Sequence, residues 1–122
     1  MKVLVAGSRT FNDFSLLEKE LMMYFKEKGL HRADVEIVSG GANGADKLGE
    51  QFANKYRLKL SRFPADWNTY GKSAGYKRNV QMAEYLDSDD IVFAFWDGSS
   101  KGTTHMINIA KSKNITVKIV KF

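Results

Sequence analysis

Residues able to bind or polarise an anion gather in three short, glycine-bearing segments of the chain: Gly7-Ser8-Arg9, Ser39-Gly40-Gly41-Ala42-Asn43-Gly44-Ala45-Asp46 and Asp97-Gly98-Ser99-Ser100-Lys101-Gly102-Thr103-Thr104. In the second, Gly40, Gly41 and Gly44 follow the β-rich run Val35 to Val38 and precede a helix-like pattern. Glycine lets bare backbone N–H groups converge, because no Cβ stands in the way. A helix start adds unpaired N–H groups and partial positive charge, so the place suits a phosphate or another anion. The same residues also make a tight strand-to-helix turn with no ligand.

Side chains near these segments extend the chemistry. Arg9 can pair bidentately with a phosphate or carboxylate, and Arg78, early on its helix, can point into a crevice between these segments and neutralise charge. Ser8, Ser100, Thr103 and Thr104 offer hydroxyls, the last three beside helix-opening amides where they also suit N-capping. Asp46 falls in the first turn of its helix, where it can offset the dipole, order the glycine turn or meet a ribose hydroxyl. Asp97 can act as a general base or ribose ligand, or simply form a turn. Trp67, Tyr70 and Trp96 can flank a base, and Asn79 follows Arg78 early on a helix. Arg78 and Asp97 are the candidate catalytic pair; Gly7, Gly40, Gly41, Ala42, Asn43, Gly44, Gly98 and Gly102 complete the candidate ligand site.

Other chemistries lose ground. The pattern G-x-x-x-x-G-K-[ST] is absent and the first loop is not G-x-G-x-x-G, which weighs against ATPase and dehydrogenase readings. His31 and His105 are distant in sequence and lack metal-ligand spacing with a carboxylate, so no metal and no cofactor are expected. There is no cysteine to supply a disulfide, a thiol nucleophile or a zinc ligand.

The elements that must hold these loops follow from hydrophobic period. Lys2 to Ala6 and Ile91 to Trp96 are nearly unbroken apolar runs, as in strands buried on both faces. The second, being the most apolar, is expected to be the central strand. Phe14, Leu17, Leu21 and Phe25 recur at helical spacing up to a stop at Gly29, with Asn12, Asp13 or Ser15 as cap and Ser15 with Glu18 at capping-box spacing. Ala45, Leu48, Phe52 and Tyr56 repeat the pattern. Leu58 to Phe63 reads as a third strand ending at Pro64, and residues 65–75 as a loop. A helix over 75–86 should place Val80, Ala83 and Leu86 inward; Ile107 and Ala110 should do so on the next. Ile115 to Phe122 closes the chain as an edge strand carrying Lys118 and Lys121.

Five β-runs alternating with four helices predict one α/β domain over residues 1–122, Rossmann-like and three-layered, with a mostly parallel sheet of order 3-2-1-4-5. All three loops then leave the C-terminal ends of strands, where open parallel sheets bind ligands.

Length and 43% apolar content fit one globular core. Net charge of +5 favours anionic partners, although the lysines are scattered rather than striped, which makes nucleic acid the lesser expectation. The chain shows no apolar run of bilayer-spanning length and no signal-peptide layout, so a cytoplasmic protein without membrane partners is expected.

Taken together, Gly7-Ser8-Arg9, Ser39 to Asp46, Tyr70-Gly71…Ala74-Gly75…Arg78-Asn79…Met82 and Phe95-Trp96-Asp97-Gly98…Gly102-Thr103 resemble the SLOG superfamily, and most of all its small single-domain YspA/YpsA-like members. The resemblance covers nearly the whole chain. It implies a Rossmann-like domain that binds a nucleotide or nucleotide-derived ligand as sensor or sequestering protein, with homo-oligomers common among relatives.

Two branches imply alternatives. The cytokinin-activating phosphoribohydrolases, once described as lysine decarboxylases, share a glycine-rich turn, an Arg-Lys pair followed by Met, and P-G-G-x-G-T-x-x-E. Arg78, Met82, Gly102 and Thr103 match that pattern. Asn79 stands where that branch has Lys, and Met106 where its catalytic Glu would fall, with His105 at another commonly acidic position. Hydrolysis of an N-glycosidic or phosphoester bond would then need Asp97 or Asp46 as substitute. The DNA-processing protein of natural transformation has an S-G-x-A-x-G-I-D stretch similar to Ser39–Asp46, which implies single-stranded DNA binding.

Overall fold

The computed structural model describes all 122 residues. Its elements are β1 (Lys2–Gly7), α1 (Phe14–Lys28), a 3-10 turn (Arg32–Asp34), β2 (Glu36–Ser39), α2 (Ala45–Tyr56), β3 (Lys59–Arg62), the short α3 (Trp67–Tyr70) with a 3-10 turn (Gly71–Ser73), α4 (Ala74–Tyr85), β4 (Ile91–Trp96), α5 (Lys101–Ser112) and β5 (Thr116–Lys121). The five strands form one sheet, every pair parallel, in the order β3-β2-β1-β4-β5. The fold is Rossmann-like, as expected.

Successive strand residues face opposite sides of a sheet, and that alternation divides the apolar runs between two cores. Val3, Val5, Ile37, Ile91, Phe93 and Phe95 pack with Leu17, Leu21, Phe25, Phe52 and Ala53 of α1 and α2. Leu4, Ala6, Val38 and Val92 pack on the other side with Met82, Ala83, Leu86, Met106 and Ala110 around α4 and α5. A strand between two such layers cannot afford a polar face, hence its unbroken apolar run.

Several local expectations need correcting. β1, not β4, is the middle strand; β4 lies between β1 and the edge strand β5. Both have neighbours on either side, and apolarity reports burial rather than rank. The cap of α1 is Asp13, whose Oδ1 accepts the Leu16 amide at 3.0 Å. Ser15 already lies inside the helix, and Glu18 accepts instead from Lys55 at 2.5 Å and from the Tyr56 hydroxyl at 2.7 Å. Residues 65–75 are not all loop: the Asp66 carboxylate accepts the Thr69 amide at 3.1 Å and starts α3. Val80 is exposed, and Met82 takes the inward position beside Ala83 and Leu86.

β5 is an edge strand as expected, with Lys118 paired to Glu20 at 3.2 Å. No helix is long and apolar enough to cross a membrane.

Candidate functional site

The end of β1 is where the three loops are joined, and Ser8 joins them. Its amide donates to the Phe95 carbonyl at 2.9 Å, its Oγ accepts the Asp97 amide at 3.0 Å, and its carbonyl accepts from Phe11 at 3.1 Å and Ala45 at 3.4 Å. Gly44 is pressed against this knot at φ 86°: a Cβ there would lie 2.3 Å from the Ser8 carbonyl oxygen. The backbone conformation and the close approach both demand glycine.

This edge of the sheet holds two adjoining cavities. The first is a crevice of about 450 Å³ lined by Gly7, Ser8, Arg9, Ala42, Asp46, Trp67, Arg78, Asn79, Asp97, Ser100, Gly102 and Thr103 among others. The second, about 530 Å³, is bordered by Gly40, Gly41 and Asn43 and shares Arg9, Ala42, Trp67 and Arg78 with the first.

Five expected site residues line neither cavity. Gly44 lies under the Ser8 knot. Trp96 donates Nε1 to the Ser100 carbonyl at 3.3 Å, and Thr104 donates its hydroxyl to the same oxygen at 2.9 Å. Tyr70 is exposed, with the Lys77 ammonium 4.8 Å from its ring centre. Gly98 sits in the turn that Asp97 closes.

The crevice also includes Lys72, Tyr76, Met82 and Met106. Of these, Met82 and Met106 are the two that the family resemblance marks. Gly75, Arg78, Asn79 and Met82 recur at helical intervals of three and four, so the stripe was present in the pattern of α4.

The glycine turn spends part of its anion-binding capacity on itself. The Gly41 amide donates to Ser39 Oγ at 3.0 Å and the Ala42 amide to Asp46 Oδ2 at 3.3 Å. Ser39 in turn donates to Glu50 Oε2 at 2.7 Å. Free positive charge comes chiefly from arginine. Arg78 Nη1 donates to the Gly40 carbonyl and Nε to Asn79 Oδ1 at 3.1 Å. None of the six ion pairs of the chain involves Arg9 or Arg78. Burial lowers the Arg78 guanidinium from its ordinary value, Asp46 opposes that effect and Arg9 adds to it. Two guanidiniums thus meet at the cavities with neither neutralised by a contacting carboxylate.

The two aspartates behave differently. Asp46 is 5% exposed. Burial pushes its carboxyl up to about 6, against the pull of Arg78 and the Ala42 amide and with a further push from Glu50. Asp97 is exposed, and Oδ1 accepts the Ser99 and Ser100 amides, each at 2.9 Å. Those two donors lead the causes that hold it below the usual carboxylate range. It therefore works as a brace for the start of α5.

Asn79, buried and standing where a lysine marks the phosphoribohydrolases, donates Nδ2 to the Gly102 carbonyl at 3.2 Å and lies 3.2 Å from His105 Nδ1. Burial lowers His105, so the neutral ring can accept that amide proton at Nδ1. Met106 is 1% exposed and presents no titratable group to the crevice. No three His, Cys, Asp or Glu side chains cluster closely enough to hold a metal ion.

A parallel α/β sheet with a crevice beyond the carboxyl ends of its first, second and fourth strands defines the class: a Rossmann-like domain, with its crevice at the switch in strand order. A family model described as the YspA, cpYpsA-related SLOG family matches residues 1–70, and the chain belongs to that family. The match takes in β1, the glycine turn and Trp67. It is accompanied by similarity to the Gene 61 protein of Mycobacterium phage D29, 32% identical over 123 residues that cover 95% of this chain and 93% of that protein. No solved structure matches.

Proposed function

We propose that the chain binds a nucleotide or nucleotide-derived ligand, as a sensor or sequestering protein, with phosphate at the junction of the two cavities and ribose and base in the crevice. Membership of the SLOG family suggests a nucleotide-related role in broad terms. The observation that carries the finer reading is the pair Arg9 and Arg78, which border both cavities and enter no ion pair. Arg78 is partly buried and has lost water with only the uncontacting Asp46 carboxyl opposing that loss, so a phosphate recovers what burial cost, with exposed Arg9 beside it as a second donor. Trp67, half exposed at the rim, offers a face for the base, and Tyr76 a second.

A hydrolytic reading has one observation in its favour: Asp46, bordering the crevice with a carboxyl near 6, is suited to give or take a proton around neutral pH. It would stand in for the glutamate that Met106 replaces. Asp97, held by two amides, is the weaker base.

Calorimetric titration with mono-, di- and cyclic nucleotides of each base tests the binding reading. At least one should bind, and Arg78→Ala should weaken it about tenfold or more with an unchanged circular-dichroism spectrum. Absence of binding across the panel, together with salt-sensitive binding of oligonucleotides, would replace it with single-strand DNA recognition. Chromatography of the same mixtures after incubation separates binding from turnover, and in the hydrolytic case Asp46→Asn should abolish product formation.

A further inference from the structure

The second cavity differs from the crevice in charge. Its ten lining residues include Arg9, Arg62 and Arg78 and no carboxylate, whereas the crevice includes Asp46 and Asp97. Arg62 closes β3 and is held from behind: Glu50 Oε1 lies 3.3 Å from its Nε, and Glu50 is itself fixed by the Ser39 hydroxyl at 2.7 Å. Nε takes that contact, which leaves the two terminal nitrogens as donors.

The backbone between the arginines is kept bare. A Cβ on Gly40 would stand 2.7 Å from Arg78 Nη1, and one on Gly41 would stand 3.7 Å from Arg62 Nη2. The two guanidiniums therefore lie beside consecutive glycines and border one cavity, where neighbouring anionic groups of a single ligand can reach both.

Resting on the nucleotide reading above, we propose that the arginine-lined cavity receives a second phosphoryl group, so that the site selects ligands carrying a diphosphate over monophosphates. Arg78 and Arg9 hold the phosphate at the junction; Arg62, braced by Glu50, is the specificity-determining residue for the next one. Trp67 borders both cavities and separates the nucleoside side from the phosphate side.

Inorganic anions test this without knowledge of the base. In calorimetry at fixed pH and ionic strength, pyrophosphate should bind about tenfold more tightly than orthophosphate, the gain of one more charge-assisted contact. Arg62→Gln should remove most of that advantage while leaving orthophosphate affinity within about twofold of wild type, and Arg62→Lys should retain part of it. Arg78→Gln should weaken both anions alike. Melting curves of the Arg62 variants establish that they are folded. Equal affinity for the two anions, or an Arg62→Gln variant that loses both in parallel, would overturn the second phosphoryl position while leaving the nucleotide reading intact. If wild type binds neither anion, the phosphate site at Arg9 and Arg78 falls as well.

Discussion

Asp46 and Asp97 border the same crevice at the openings of two helices, yet their carboxyls shift in opposite directions. Asp46 is enclosed by the glycine turn, and lost hydration outweighs both Arg78 and the Ala42 amide. Asp97 stays in water and gains the Ser99 and Ser100 amides, so its charged form is favoured. Position at a helix start sets neither outcome; solvent and the number of aimed N–H donors do. The comparison divides the labour of the site. Asp46 is the group whose charge changes near neutral pH, and Asp97 is a fixed anion that shapes the α5 loop.

The largest expected effect comes from opening the enclosure of Asp46. Gly44→Ala must place a methyl 2.3 Å from the Ser8 carbonyl oxygen at φ 86°, where L residues are strained and the backbone cannot yield without breaking the Ser8 knot. The expected loss is about 3 kcal/mol or more in urea unfolding. A loss below about 1 kcal/mol would mean that the turn gives way easily and that the burial of Asp46 is not enforced.

Asp46→Asn comes next. Its carboxyl rises from 3.8 to about 6 on folding, so the neutral form is the one the fold prefers. Its contribution is intact below pH 3.8 and is lost as pH rises through about 6. By linkage the charged carboxylate then costs on the order of 3 kcal/mol. Relative to wild type, the variant should gain stability progressively between pH 4 and pH 7 in chemical denaturation. The same substitution should flatten the pH dependence of sulfate affinity. Sulfate remains a dianion across this range, and wild type should hold it several-fold more tightly at pH 5 than at pH 8, before Asp46 charge offsets the arginines. A variant that parallels wild type at every pH would remove Asp46 from the titration.

Much of this is legible in the sequence itself, because period and punctuation are local. Alternating helices and apolar runs led to the strand order, and the strand order carried Ser8, Asp46 and Asp97 to one edge. What escaped depends on side chains meeting across the fold. Ser39 and Asp46 take up the Gly41 and Ala42 amides, so the glycine turn holds fewer free donors than its composition suggests. Arg62 carries no signal within its β-run, since its brace, Glu50, lies twelve residues earlier on another element. Val80 was misplaced because two residues rotate a helix by about 200°. Choosing Val80 over Met82 turns the face away from the core. The family match ends at residue 70, short of Arg78 and Asp97.

Asp97→Ala should give the smallest effect, and its value lies in its pH profile. The carboxyl is lowered on folding, so it stabilises the α5 opening above its unfolded value of 3.8, and that contribution is lost as pH falls through the lowered folded value. At pH 7 the variant should melt slightly below wild type, and the two should converge as pH falls below the lowered folded value. This is the reverse of Asp46→Asn, whose curve should approach wild type at low pH from the stabilised side. The sulfate profile of Asp97→Ala should keep the wild-type preference for pH 5, since Asp46 is untouched. If removing Asp97 flattened that profile instead, the exposed aspartate would be the charge that governs the arginines, and the contrast between the two loops would have to be drawn the other way.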